Sequence, residues 1–246
     1  MYDRIGKGYA TYRHADPRIE SAIHHGLGPA RTVLNVGAGT GSYEPKDRCV
    51  LAVEPSGEMI RQRPTGSAPC LQAGIESLRF APGAFDATMA VLTVHHWPVP
   101  LTGIAELARV GRGVVIFMFD PQLHNTFWLF RDYFPAMTRL PSTVGAISVD
   151  ETARAIGADR IVKVLIPYDC VDGFGWAYWR RPKAYLDPAV RRCISAFGQV
   201  SPDEVTSGIA ALRSDIDTGR WDDRHAELLE KSAIDGGFRL VIRDMR

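Results

Sequence analysis

The chain has 246 residues, 46% hydrophobic and 23% charged, a balance that argues against fibrous and disordered classes and allows one large core. Lysine plus arginine number 29 and aspartate plus glutamate 28, so a net charge of +1 gives no footprint of a dedicated nucleic-acid or membrane-surface binder. The cysteines, Cys49, Cys70, Cys170 and Cys193, form no C-x-x-C pair and no zinc spacing with histidine, so reduced thiols and no metal are expected.

Residues 2–28 read as helix, with Tyr9, Tyr12 and Ile19 among the apolar positions and a break near Asp16 and Pro17. The opening residues are polar and no apolar run approaches the ~20 residues that span a bilayer, so a soluble cytoplasmic protein is expected. A β-branched run at 32–36 enters Gly37-Ala38-Gly39-Thr40-Gly41. Apolar runs at 49–53, 85–91 and 114–119 look like strands buried on both faces, and 101–110 has helical spacing between the last two. This alternation implies a parallel sheet covered by helices.

Beyond residue 120, a helix dense in aromatics is expected at 127–137 and another at 149–156 with Asp150 as its N-cap. Strands are expected at 160–166 and 238–243. The roughly seventy residues between them are too many for a simple crossover, and 187–197 and 202–212 read as helices of an inserted cap. The charged stretch 213–224 reads as a solvated surface. Without repeats or linkers, the chain reads as one domain.

The glycine turn is the strongest chemical signal. Alternating glycines at a strand end let a ligand lie directly against the backbone, and the carboxyl edge of a parallel sheet is where open α/β folds bind nucleotides. A dinucleotide fingerprint needs a sixth-position glycine where this chain has Ser42, and no G-K-[ST] follows, which excludes a Walker loop. The second strand ends in Val53-Glu54-Pro55-Ser56, and a carboxylate there can accept hydrogen bonds from both ribose hydroxyls.

Together these segments resemble the class I S-adenosylmethionine-dependent methyltransferases, in the broad small-molecule group called type 11. The resemblance runs through the glycine turn, Val53-Glu54-Pro55-Ser56, Phe85-Asp86-Ala87, Val94-His95-His96-Trp97 and Glu106-Leu107-Ala108-Arg109-Val110. The opening Tyr2-Asp3-Arg4-Ile5, with Tyr9 and Arg13, is similar to that family's N-terminal helix. These matches cover roughly the first 120 residues. The resemblance implies a Rossmann-like α/β fold: a seven-stranded sheet with its last strand antiparallel and helical insertions after the fifth and sixth strands. It divides the chain into an N-terminal lid (1–28), a cofactor-binding half (30–120) and a substrate-side half (121–246) with a cap at about 168–236.

The resemblance also implies residue roles. Gly37, Ala38 and Gly39 would approach the methionine portion of S-adenosylmethionine, Glu54 its ribose, and Pro55, Ser56 and Met59 its adenine. Tyr9 and Arg13 would approach the carboxylate end, and Ile75, Glu76 and Leu92 would complete the cofactor site. Two positions depart from the family pattern, since Asn35 and Gly74 stand where acids are usual. The partner expected is a small-molecule acceptor, not a nucleic acid or membrane. The competing classes are a non-catalytic nucleoside-binding module and a nicotinamide-dependent oxidoreductase, which Ser42 disfavours.

Methyl transfer needs alignment and dryness, and many acceptors also need a base. His95-His96 follows the fourth strand, where side-chain alternation would turn only one imidazole to the cleft. His95 is the candidate base and Asp120, ending the fifth strand, its candidate orienting partner; packing against the cofactor loop or capping a helix are the competing roles. The aromatic stretch 174–181 could wall a flat acceptor's pocket, with Arg180 or Arg181 holding an acidic group, or form a second small core.

Overall fold

The computed structural model describes residues 13–246. Tyr9 and Tyr12 therefore lie outside the described residues. Seven strands form the main sheet: β1 (Thr32–Val36), β2 (Cys49–Glu54), β3 (Cys70–Gln72), β4 (Phe85–Val91), β5 (Gly111–Phe119), β6 (Arg160–Lys163) and β7 (Phe238–Arg243). Their order is β3-β2-β1-β4-β5-β7-β6, parallel from β3 to β5, with β7 antiparallel to both neighbours.

Successive residues in the central strands go to opposite faces. Val33, Met89, Val115 and Phe117 join one core cluster, while Leu34, Ala90, Val114 and Ile116 join the other. Both faces are dry, which is why these strands read as unbroken apolar runs. The principal helices are α1 (Pro17–Gly26), α2 (Pro100–Val110), α3 (Val149–Ile156) and α4 (Pro202–Asp217). Ile19 and Ile23 of α1 cover one face, and Ile104, Leu107 and Val110 of α2, with Ile156 of α3, cover the other. Asp16 caps α1 by accepting the Arg18 amide at 3.0 Å, with Pro17 at the first helical position. Chain order reverses between β1 and β4, and the crevice outside that switch point is the natural binding place in such a sheet.

The second half departs from expectation in several places. Ser148, not Asp150, caps α3: its hydroxyl accepts the Glu151 amide at 3.2 Å while Glu151 accepts the Ser148 amide at 3.1 Å. The stretch 127–137 is not one helix. A wide turn (Leu129–Tyr133) gives way to a 3₁₀ turn (Pro135–Arg139), because Pro135 cannot donate to a continuing helix. Residues 187–197 likewise split into Pro188–Arg192 and a 3₁₀ turn at Ser195–Gly198, interrupted by extended backbone at Ile194. Strand β6 ends at Lys163, and Ile166–Pro167 pairs instead with Ala233–Ile234.

The aromatic stretch is mainly core. Trp179 is fully buried and its indole donates to the carbonyls of Ile166 (3.0 Å) and Pro167 (3.2 Å). Trp128 donates to the Trp179 carbonyl at 2.9 Å, and Trp176 stacks on Phe127. The stretch 213–224 is not simply a solvated surface. Trp221 is buried, and the Asp215 carboxylate accepts the Tyr133 hydroxyl at 2.8 Å while pairing with Arg220 and Arg224. Replacing Trp179 with Ala should cost about 3–5 kcal/mol of unfolding free energy in urea titration. Val144→Ala, on an exposed side chain, should stay within about 0.5 kcal/mol. Equal losses would contradict this account of the second core.

Candidate active site

The turn after β1 is built against the end of β2. The amides of Gly37 and Ala38 donate to the Val53 carbonyl at 2.9 and 3.1 Å. Glu54, itself buried, accepts the Gly39 amide on one carboxylate oxygen (2.8 Å) and the Ser56 amide on the other (2.9 Å). Gly37 and Gly39 both have positive φ, +69° and +54°. A side chain on Gly37 would collide with Thr93. A Cβ on Gly39 would meet only the tip of Met59, at 3.4 Å, so this glycine fronts open space.

That space is a cavity of about 720 Å³, within the usual range for ligand pockets. Gly37, Ala38 and Gly39 line it beside Glu54, Pro55, Ser56 and Met59. Ile75, Glu76, Leu92, Arg13 and His95 line it too, so the structure gathers every described candidate except Asp120 around one cavity. Tyr9 is outside the described residues.

Both departures at acidic positions have a local counterpart. Asn35 donates from its amide to Glu44 at 3.0 Å, and Glu44 pairs with Arg63 at 2.7 Å, all beneath the glycine turn. Arg63 also donates to the Gly39 carbonyl at 3.3 Å, so the acid that supports the turn comes from position 44. At Gly74, a Cβ would overlap the carboxylate of Glu76, which folds back over the glycine. Neither Glu44 nor Arg63 carried a sequence signal, since their pairing is set by the turn's shape.

Arg13 is held by Asp172, which is fully buried, with Nε donating at 2.6 Å. The Tyr43 hydroxyl donates to the same carboxylate at 2.8 Å, tying the segment before α1, the glycine turn and the region after β6 together. Burial, and then the charge of Asp172, push the Tyr43 hydroxyl well above its ordinary pKa, so it remains a donor.

Past β4 the chain turns sharply. Leu92 has φ +49°, unusual for a branched residue, and its amide donates to the Phe117 carbonyl at 2.8 Å. Val94–His96 then forms a single 3₁₀ turn. The expected strand alternation therefore fails, and both His95 and His96 line the cavity, their rings 3.9 Å apart. Asp120 does not orient His95. Its carboxylate caps the short helix Pro121–His124, accepting the amides of Gln122 (2.9 Å) and Leu123 (3.2 Å), because the chain turns into that helix directly after β5.

Leu92, His95, His96 and Arg13 also border a second, inner chamber of about 90 Å³. Phe119, His124, Phe130, Phe174 and Phe238 line it further in. Phe119 neighbours two imidazoles, 4.9 Å from His95 and 4.1 Å from His124. Arg180 and Arg181 are elsewhere: Arg180 donates to the Lys231 carbonyl and Arg181 to the Ala177 carbonyl, so the expected clamp for an acidic acceptor is not formed.

Burial holds all three imidazoles neutral. It lowers His95 well below the ordinary 6.5, His96 to about 4 with Arg13 among the positive neighbours that add to the effect, and His124 to about 3. Because the folded values lie below the unfolded one, the unfolded chain takes up protons that the folded chain refuses as the pH drops below 6.5. Stability is then lost down to about pH 4 for His96 and about pH 3 for His124, at a slope of about 1.4 kcal/mol per pH unit for each histidine. His124→Phe should lose less unfolding free energy between pH 7 and pH 5 than the parent chain in urea titrations. An unchanged loss would contradict a buried, neutral His124.

Comparison with known proteins agrees with this architecture. A family described as "Methyltransferase domain" matches residues 34–119. Over 145 residues the chain is 30% identical to 2-methyl-6-phytyl-1,4-hydroquinone methyltransferase 1 of Oryza sativa subsp. japonica, a match covering 53% of this chain and 42% of that protein. The second such rice enzyme matches at 31% identity over 143 residues, 53% of this chain and 40% of its own length. The chain thus spans less than half the length of these curated relatives. A crystal structure from Anabaena variabilis, described as a methyltransferase of an antibiotic biosynthesis pathway, superposes with a TM-score of 0.87 at 29% identity, covering 94% of this chain and 98% of that one. A methyltransferase from Thermotoga maritima shares the fold at a TM-score of 0.52 and 21% identity, over 68% of this chain and 83% of its own. Its sheet order, its glycine turn and these similarities give the chain the class I methyltransferase fold, with the methyltransferase-domain match running through residues 34–119.

Proposed function

We propose that the chain transfers a methyl group from S-adenosylmethionine to a small-molecule acceptor seated in the inner chamber. One observation carries this reading: the cavity beside the glycine turn and Glu54 shares Leu92, His95 and His96 with the aromatic chamber. We further read the chain as one methyltransferase unit, with 30–120 holding the cofactor, 121–246 bounding the acceptor and 1–28 covering the cleft.

The residues present suit the cofactor. The backbone at Gly39 fronts open space that a side chain would fill, and the Glu54 carboxylate lines the same cavity, where an acceptor for a ribose hydroxyl belongs. Pro55, Met59 and Ile75 offer apolar surface to the adenine. Glu76, folded over Gly74, supplies the acceptor that an acid at position 74 would have given the adenine's amino group. Arg13 faces the carboxylate end.

S-adenosylmethionine supplies the activated methyl group, so the chain's own work is alignment and exclusion of water. Leu92, Phe119 and Phe174 keep the acceptor's surroundings dry. His95 meets the reacting group of the acceptor. With its pKa held well below 6.5, it is a weak base and acts chiefly by accepting a hydrogen bond that aligns the nucleophile. The near-neutral charge supports a small molecule over nucleic acid. Among the described residues no helix is long and apolar enough to cross a membrane.

Calorimetry with S-adenosylhomocysteine tests the assignment. Glu54→Ala should weaken binding by about 1–3 kcal/mol, the worth of hydrogen bonds to a charged group. Glu76→Gln should weaken it less, since an amide oxygen still accepts. Gly39→Val should abolish measurable binding while keeping a cooperative melt. A folded Gly39→Val variant that binds like the parent chain would place the cofactor elsewhere.

A further inference from the structure

The inner chamber has a chemical character that the cofactor site does not explain. Its lining holds four phenylalanines, Phe119, Phe130, Phe174 and Phe238, and three imidazoles. Two of those imidazoles, His95 and His124, have no hydrogen-bond partner among the described residues, and the His124 Nδ1 is buried without one. Native structures satisfy nearly all buried polar groups, so the unmet His124 nitrogen marks a place where a ligand's polar atom belongs, and His95 lines the same chamber. Each neutral ring offers one donor and one acceptor, and so pairs equally well with a hydroxyl or a carbonyl.

Charge narrows the ligand further. Arg13 is the sole charged side chain among the described residues lining the chamber, and between Asp172, at 2.6 Å, and the cofactor carboxylate assigned to it above it is committed elsewhere. A carboxylate or ammonium group would enter this apolar space without a counter-ion, at a large desolvation cost. Size narrows it again: about 90 Å³ is less than the roughly 150 Å³ apolar cavity that holds one benzene ring, so a single ring fits only by reaching past Leu92 and His95 into the larger cavity that shares them, and a fused polycycle is too large. Phe119 touches both of these imidazoles, stacked on His124 at 4.1 Å and tilted against His95 at 4.9 Å, so the two rings border the same aromatic surface.

Resting on the methyltransferase reading, we propose that the chamber takes a single uncharged aromatic ring with oxygen substituents at opposite positions, gripped by His95 at one end and His124 at the other. His95 meets the oxygen nearer the cofactor cavity, and His124 anchors the far oxygen. The rice relatives, named for a 1,4-hydroquinone, accord with a ring of this kind. His124 is a specificity-determining residue in this arrangement, acting on which ring is held.

The test uses the full chain and four probes: 2-methylhydroquinone, 4-methylphenol, p-xylene and 4-hydroxybenzoate. Binding is followed by calorimetry with and without saturating S-adenosylhomocysteine. The parent chain should prefer the hydroquinone over 4-methylphenol by roughly tenfold, the worth of one further hydrogen bond, and over p-xylene and the anion by more. In His124→Phe, which keeps an aromatic ring beside Phe119, the hydroquinone and 4-methylphenol should bind equally. His124→Gln should restore part of the difference, and neither variant should change S-adenosylhomocysteine affinity. Preference for 4-hydroxybenzoate, no preference among the neutral probes, or an undiminished preference in His124→Phe would each overturn the proposal. Because the probes are measured without the cofactor product as well, failure to bind S-adenosylhomocysteine would sink the methyltransferase reading by itself, while a failed probe series beside normal cofactor binding would sink only this one.

Discussion

Everything at the cleft depends on the Glu54 carboxylate, which grips two backbone amides from two different turns. The Gly39 amide comes from the turn after β1 and the Ser56 amide from the turn after β2, so one side chain sets the distance between the cleft's two edges. Hydrogen bonds from amides to an ionised carboxylate are roughly twice as strong as neutral ones. They also pull the two turns onto one side chain, so neither can move without the other. The carboxylate proposed to meet the ribose is thus the one that shapes the cleft's floor.

The supporting charges have moved relative to the family pattern, and the geometry shows how little that matters physically. An acid at position 35 would stand on β1 itself. Here Asn35 passes that duty to Glu44, which sits across the turn and is neutralised by Arg63. The acid usual at position 74 is likewise replaced by one two residues on, folding back across a glycine. In both cases the field reaches the same region from a different backbone atom. What the site requires is a charge at a place, and the sequence position that provides it is free to drift.

The sheet and the glycine turn were legible because their signals are local. Buried parallel strands read as apolar runs, and positive φ at Gly37 and Gly39 demands glycine. Strand β7 carries the same signal, with Phe238, Leu240 and Ile242 in one core cluster and Val241 in the other. Legibility failed where geometry depends on what a segment packs against. The turn at Val94–His96 put two histidines in one cavity, which strand alternation forbade. Asp120 reads equally as a partner for His95 or a helix cap, and only the direction of the chain after Phe119 decides it. The aromatic stretch was evenly divided between pocket and core. The structure divides it too: Trp176 and Trp179 are core, while Phe174 and Gly175 face the chamber.

Leu92 holds a left-handed backbone conformation at the border between the two cavities, at a cost of order 1–3 kcal/mol that the surrounding sheet bears. A border made of main chain has a consequence for how such proteins diversify. The side chains that characterise the inner chamber, Phe119, His124, Phe130, Phe174 and Phe238, come from after the fourth strand, whereas the glycine turn and Glu54 come from before it. Mutation can therefore redraw the one without disturbing the other, and the spacing between donor and recipient is inherited unchanged. Descendants of this chain could change clientele while keeping the same supplier, with a single strained residue guarding the partition.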